Sequence, residues 1–381
     1  MRTRVLVVGG GVLGLSIGYN LVKKGERDVL VIERKYIGNG STTRCASAFR
    51  VHFWSDENTL FAIEARKRLL RAGDELNFNP LVETIGYMWL LYDEAILDAY
   101  RKRNTRWSEF GIAGNLLAPE DVKEDHPYLN TEDMIGAFCG PQDGVLHHDF
   151  LMFGYRDAIL NAGGRVLEYL DAKRLLMDGN RISGIETSAG SIEADKVVVA
   201  GGVWSNAILE TVGARLPIVP ERKEICVMEP MKPFIKTFLI NTKLKSFYIT
   251  QTARGEGIGS IDHPIVKGSL EYGNTLEFLR EFSRAAISTI PALRKARMLR
   301  VWSGFYEVTP DHSHILGRNP EWPENLYVAG GFSGHGLLMA PFAGEVMADL
   351  LLEDRTHPLM KPYSPTRFEE EREIKETLII G

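Results

Sequence analysis

Short unbroken apolar runs alternate along the chain with stretches whose apolar positions recur every three or four residues. Val5 to Val8, in "RVLVVGGGVLGLS", is a run of the kind buried on both faces in a parallel sheet. Leu13 to Lys24 then carries helical spacing and would end at Gly25, and Val29 to Ile32 is a second buried strand. Much later, "KVVVAGGVWSN" (196–206) repeats the strand-then-glycine pattern, after "RISGIETSAGSIEADKVVV", which reads as a short meander crossing the sheet. "YVAGGFSGHGLLMAP" (327–341) is a further strand, glycine-rich turn and helix start. Residues 81–144 and roughly 218–300 lose this rhythm: "TIGYMWLLYD", "ICVMEP" and "SFYITQT" look like strands, and "TLEFLREFSRAAISTI" like a helix. The pattern predicts an α/β fold joined to a second, antiparallel lobe.

Length supports two lobes, since 381 residues exceed the ~250–300 at which single cores stop growing. With 44% hydrophobic and 25% charged residues the composition is that of a soluble globular enzyme. A net charge of -5 gives no basic footprint for nucleic acid or anionic membranes. Three scattered cysteines make neither a disulfide framework nor a zinc site, so a reducing, cytoplasmic setting and no metal are expected. The start imitates a signal peptide, but its glycines and the charged "KKGERDVLVIE" fit strand, turn and helix better. No charge-free run reaches the ~20 apolar residues of a membrane span.

Gly9, Gly11 and Gly14 stand in G-x-G-x-x-G spacing between strand and helix, the context that turns a weak motif into a dinucleotide fingerprint. Glu33, at the end of the second strand, is placed to accept ribose hydroxyls, which argues for FAD or NAD. The glycine, serine and arginine loop "RKYIGNGSTTRCASAFRVHFW" that follows suits a flavin wrapped in place, hence FAD. An NAD-dependent dehydrogenase is the rival, and predicts a colourless protein.

The fingerprint, "GNGSTTR", "VVVAGGVWSN", "WSGFYEVTPDHSHILG" and "LYVAGGFSGHGLLMAPFAGE" fall in the order found in the D-amino acid oxidase-like (DAO) flavoenzymes. The chain most resembles the beta subunits of heteromeric sarcosine oxidase and of archaeal dye-linked L-proline dehydrogenase. The resemblance implies a discontinuous Rossmann-like FAD-binding domain (1–80, 145–217, 301–370) and an antiparallel-sheet (α+β) substrate domain (81–144, 218–300); the charged composition of the end, 371–381, reads as a solvated helix or a partner contact. The resemblance places FAD at Gly9, Gly11, Val12, Leu13, Gly14, Glu33, Arg34, Ser41, Thr42, Arg44, Cys45, Ala172, Gly201, Trp204 and Gly304. The flavin ring would lie against Gly331, Phe332, Ser333, Gly334, His335 and Gly336, whose backbone N–H groups would stabilise negative charge on the reduced ring.

The implied reaction is oxidation of an amino acid C–N bond by hydride transfer to FAD. It needs a cation for the substrate carboxylate and groups that orient a neutral amine. Arg50 is the first choice for the carboxylate, because its spacing after "GNGST" resembles the carboxylate-binding arginine of monomeric sarcosine oxidases. Leu337 and Leu338 occupy the region where those enzymes carry a second cation, a lysine. Tyr306 replaces the arginine of glycine oxidases, and Tyr248, Lys223 and His335 are further pocket candidates. His148 falls on the histidine that carries a second flavin, FMN, at a subunit interface in sarcosine oxidase beta subunits; otherwise the histidine pair, with Asp149, caps a helix beginning near Phe150. The expectation is a subunit of a larger complex oxidising a small secondary amino acid, of L-proline or sarcosine type. Alternatives are a stand-alone glycine or D-amino acid oxidase releasing hydrogen peroxide, and an electron-relay flavin subunit.

Overall fold

The computed structural model describes residues 1–263 and 267–377. Two eight-stranded sheets organise it. In the first, five parallel strands run in the order Leu326–Gly330, Gly190–Val199, Arg2–Val8, Val29–Ile32, Arg165–Leu167. Ile315–Gly317 adds an antiparallel edge, and Ala172–Asp178 with Arg181–Thr187 forms the expected meander into Gly190–Val199. Val29 to Ile32 is buried at every position, as a strand covered on both faces must be. The first helix, Val12–Lys23, packs against the last long one, Gly336–Glu353, and Ser16 Oγ donates to the Ala340 carbonyl at 2.7 Å. The two glycine-rich junctions therefore lie side by side although they are far apart in sequence.

The second sheet is antiparallel except where Phe238–Asn241 runs beside Tyr87–Leu91. Its edge strand, Met298–Val308, pairs with Val219–Pro230 all the way to Val308, so the domain boundary expected between 300 and 301 falls inside one strand. One face of this sheet is sealed by the helix Leu276–Thr289, whose Phe278 and Phe282 are fully buried. The other face presents Tyr87, Trp89, Phe238 and Tyr248 to the core shared with the first lobe.

Two local expectations need correction. The helix expected near Phe150 begins at His148, with His147 at its N-cap and no side-chain cap, so Asp149 lies within the first turn rather than capping it. Among the described residues the C-terminal segment forms no helix over 371–377, and the rest of the expected 371–381 tail lies outside the described residues. Arg367 is completely buried in a two-armed ion pair with Asp311 (2.8 and 2.9 Å), to which the Ile374 N–H also donates. Glu376 is buried at the head of the helix Asp56–Leu76, accepting from the N–H groups of Trp54 and Ser55, the Ser55 hydroxyl and Asn58 Nδ2. Two charged residues, Arg367 and Glu376, are thus drawn inside, because buried partners elsewhere in the chain satisfy them, while Glu369, Glu370, Glu371, Arg372, Glu373 and Lys375 stay exposed.

Candidate active site

A cavity of about 400 Å³ runs from the first glycine junction to the second sheet. Its inner end is formed by Gly9, Gly11, Val12 and Leu13. Gly9 has φ of +122°, and a Cβ there would stand 2.3 Å from the Ala200 carbonyl oxygen, so backbone from two parallel strands meets here as only glycine allows. Gly14 stands behind the wall, pressing the helix onto the Gly9 carbonyl. The helix start exposes first-turn N–H groups and positive dipole to the cavity, although the Val12 N–H is taken by Thr42 Oγ1 at 3.2 Å. Glu33 lines the next section, with Oε2 accepting from the Gly10 N–H (2.9 Å) and Oε1 from that of Lys35 (3.0 Å). Each carboxylate oxygen keeps a lone pair for a hydroxyl.

The long loop after Glu33 folds along the side of the cavity. Arg34 stacks 4.0 Å over the Trp204 ring, joining this loop to the Gly201–Gly202 turn, and Ser41 Oγ donates to the Phe305 carbonyl at 2.6 Å. Thr42, Arg44 and Cys45 line the same side, and Ala172 lies in the wall near Glu33. Burial pushes the Cys45 thiol up to about 11, so it is a neutral packing group and not a thiolate.

At the outer end stand Gly304, Phe332, Gly334 and Gly336, with Lys223, Tyr248, Tyr306 and Leu337. Gly334 (φ +93°) is pressed by the Tyr306 ring, 2.6 Å from where a Cβ would be. Lys223 Nζ is held 2.9 Å from Asp262 Oδ1 and lies 5.5 Å from the Tyr306 ring centre. Burial drives the Tyr248 and Tyr306 hydroxyls above their ordinary range, so both stay neutral hydrogen-bonding groups.

Several expected residues are not on this wall. Arg50 is buried, donating to the His52 carbonyl (2.6 Å) and lying 3.1 Å from His335 Nε2, with its guanidinium over Phe53. His335 turns toward Arg50 and Phe53, and its pKa is held far below the usual value by burial, with the Arg50 charge adding to it. Gly331 and Ser333 stand behind the lining. The N–H groups expected to serve a ring there are engaged elsewhere: those of Gly331 and Phe332 bond the Glu307 carboxylate and that of Ser333 the Glu307 carbonyl. What remains at this end is the N-terminus of the helix Gly336–Glu353, which has no side-chain cap. His148 is also off the cavity, bonded through Nδ1 to Ser47 Oγ and 3.4 Å from Asp149, its pKa lowered to about 4 by burial despite Asp149.

The pattern reading missed Glu307 and Asp262. Glu307 lies inside the quoted "WSGFYEVTPD", where an acid flanked by tyrosine and valine was the available signal; Asp262 had none, because its pairing with Lys223 is long-range.

The cavity suits an extended dinucleotide: a glycine cradle that a Cβ would fill at one end, a carboxylate for ribose in the middle, an uncapped helix N-terminus at the other. Among the described residues no group of three or more His, Cys, Asp or Glu is placed to hold a metal ion, and no helix is long and apolar enough to cross a membrane.

Comparison with known proteins agrees with the cavity. The "Sarcosine oxidase subunit beta" of Rhodobacter capsulatus is 28% identical over 100% of this chain and 92% of its own length. The glycine oxidase of Geobacillus kaustophilus is 27% identical over 96% and 97%. The crystal structure of L-proline dehydrogenase from P. horikoshii superposes with a TM-score of 0.92 at 33% identity, covering 97% of this chain and 98% of that one. The DAO profile, described as FAD dependent oxidoreductase, matches residues 4–350, and the chain belongs to this family of FAD-dependent oxidoreductases.

Proposed function

We propose that the protein oxidises the C–N bond of a small secondary amino acid, of L-proline or sarcosine type, as the catalytic subunit of a larger complex. The observation that carries this reading is the outer end of the cavity: one ammonium, Lys223, and two neutral phenols, Tyr248 and Tyr306, around an otherwise largely apolar mouth. The relatives named for L-proline, sarcosine and glycine support the substrate class, and the name "subunit beta" supports the assembly. The division of labour is cofactor on segments 1–80, 145–217 and 301–370, and substrate under 81–144 and 218–300, with the strand Met298–Val308 serving both. Second-flavin (FMN) attachment at His148 belongs to the same proposal.

Gly9, Gly11, Val12 and Leu13 would hold the pyrophosphate, Glu33 the ribose, and the Gly334–Gly336 helix start the ring end. Bound FAD supplies the hydride acceptor. Lys223 receives the substrate carboxylate, exchanging part of its contact with Asp262 for a charge-assisted hydrogen bond. Tyr248 and Tyr306 orient the amine without charging it. Neither phenol nor the Cys45 thiol ionises near neutrality, so none is a base at working pH, and the amine enters neutral. Arg50 reaches this end through His335, as a support for the helix start and not as a carboxylate ligand.

The test is the absorbance spectrum of the purified protein before and after anaerobic mixing with L-proline, sarcosine, glycine and D-amino acids. A yellow protein bleached by L-proline or sarcosine is expected. Bleaching by glycine or a D-amino acid alone, with fast peroxide release, overturns the reading in favour of a stand-alone oxidase; no bleaching by any of them favours an electron-relay subunit. Colour persisting after acid precipitation would report covalent flavin.

A further inference from the structure

Glu307 stands on the cavity wall where the strand Met298–Val308 meets the turn before the last long helix. It engages three consecutive N–H groups of that turn. Oε1 accepts from Phe332 at 3.3 Å, the Gly331 N–H also bonds the carboxylate, and the Glu307 carbonyl accepts from Ser333 at 3.3 Å. Oε2 is shut off from solvent and has no hydrogen-bond partner among the described residues. It faces the bare sides of Gly330 and Gly202, where a Cβ would come to 3.5 and 4.0 Å.

The charged groups on the neighbouring elements are committed elsewhere. On the paired strand, Glu221 holds Lys267, Arg222 lies by Glu224, and Lys223 pairs with Asp262. Arg34 is stacked on Trp204 beside the Gly202 turn, Tyr306 on its own strand lies against Gly334, and His335 in the same turn faces Arg50. Burial therefore acts almost alone on the carboxyl and pushes it up to about 7, against the two N–H groups that lower it. An acid so placed is close to half-ionised near neutrality, and added negative charge in the cavity would bring a proton onto it.

We infer that Glu307 is a positioning residue that ties the 331–333 turn to the cavity wall, and that it takes up one proton from solvent when the cofactor is reduced. The inference rests on the proposed placement of the FAD ring end beside this turn. The balance is simple: the neutral amine gives up a hydride, two electrons and one proton, to the cofactor and becomes an iminium cation, so that one negative charge remains in the cavity once this cation has departed. The Glu307 carboxylate then takes one proton from water and cancels that charge.

The test is the midpoint potential of the bound flavin in the holoprotein, measured from about pH 6 to about pH 9. One proton per two electrons gives about 30 mV per pH unit, and two give about 60. Wild type should show a window near the steeper slope, opening around neutrality, and Glu307→Gln should stay near the shallower slope in that window. A shallow slope throughout wild type overturns the inference, and so does a steep window that survives in Glu307→Gln. Should the glutamine variant load no flavin, Glu307→Asp serves, because a shorter acid must displace the window along the pH axis; an unmoved window overturns the inference. A colourless wild-type protein would instead remove the functional proposal itself.

Discussion

Lys223→Met isolates the electrostatic part of substrate recognition. The lysine side chain is 12% exposed and its partner Asp262 38% exposed, with 2.9 Å between Nζ and Oδ1. Methionine keeps the length and apolar stem while removing the charge. Asp262, left without its partner, can be hydrated, so the loss of the ion pair should cost the fold little. The substrate carboxylate loses a hydrogen bond to a charged donor, worth about 1.5–3 kcal/mol. At about 1.4 kcal/mol per decade this is roughly a 10- to 150-fold rise in the substrate dissociation constant. The assay is anaerobic stopped-flow bleaching against concentration of the best substrate. The dissociation constant should rise in that range, with the limiting rate within about threefold, since the lysine binds both ground and transition states. Asp262→Asn leaves the ammonium unshared and should not weaken binding. An unchanged dissociation constant in Lys223→Met would refute the reasoning and return the carboxylate to another group.

Gly9→Ala tests the inner end: the added carbon meets the Ala200 carbonyl at 2.3 Å in a left-handed conformation, itself costing about 1–2 kcal/mol. FAD titrated into the apoprotein, followed by flavin fluorescence, should bind more than about tenfold more weakly, and wild-type affinity would contradict the cradle. Arg367→Met leaves Asp311 buried without its cation and should cost about 3–5 kcal/mol in denaturant unfolding. In wild type, burial raises the Asp311 pKa, but Arg367 and two backbone N–H groups outweigh it and the net shift is downward. Its stabilisation is therefore complete above an unfolded value of about 3.9 and is lost as pH falls through the folded one; the Arg367→Met variant should lose this acid-sensitive step, which unfolding midpoints between about pH 6 and pH 3 would detect.

What could be read in advance follows the distance over which each signal acts. The strand Val29–Ile32 has the expected bounds and the helix Val12–Lys23 lies one residue from them, because run, turn and helical spacing are complete within a few dozen neighbouring residues. The strands of the second lobe were readable as strands, but their order was not: nothing local says that Phe238–Asn241 lies parallel to Tyr87–Leu91. The tail misled for the same reason, since "RFEEEREIKETLIIG" is polar by composition and only the positions of Asp311 and of the Ser55 helix head show where Arg367 and Glu376 are buried.

The same distinction separates the two ends of the cavity chemically. A pyrophosphate is met by backbone, and backbone geometry is dictated by glycines whose spacing is visible in one line of sequence. A substrate carboxylate is met by a side chain whose direction depends on its partner. In sequence Arg50 was the first choice and Lys223 only a further pocket candidate; His52, His335 and Phe53 engage the first behind the wall, while Asp262 holds the second at the mouth. Charge developing at the ring end is then met in two ways. The helix beginning at Gly336 offers a fixed dipole, while the N–H groups of Gly331, Phe332 and Ser333 are already bonded to Glu307. The part of the turn that does not face the ring thus responds through a proton on Glu307, and reduction of the cofactor at this site should depend on pH even where the substrate's own ionisation does not change.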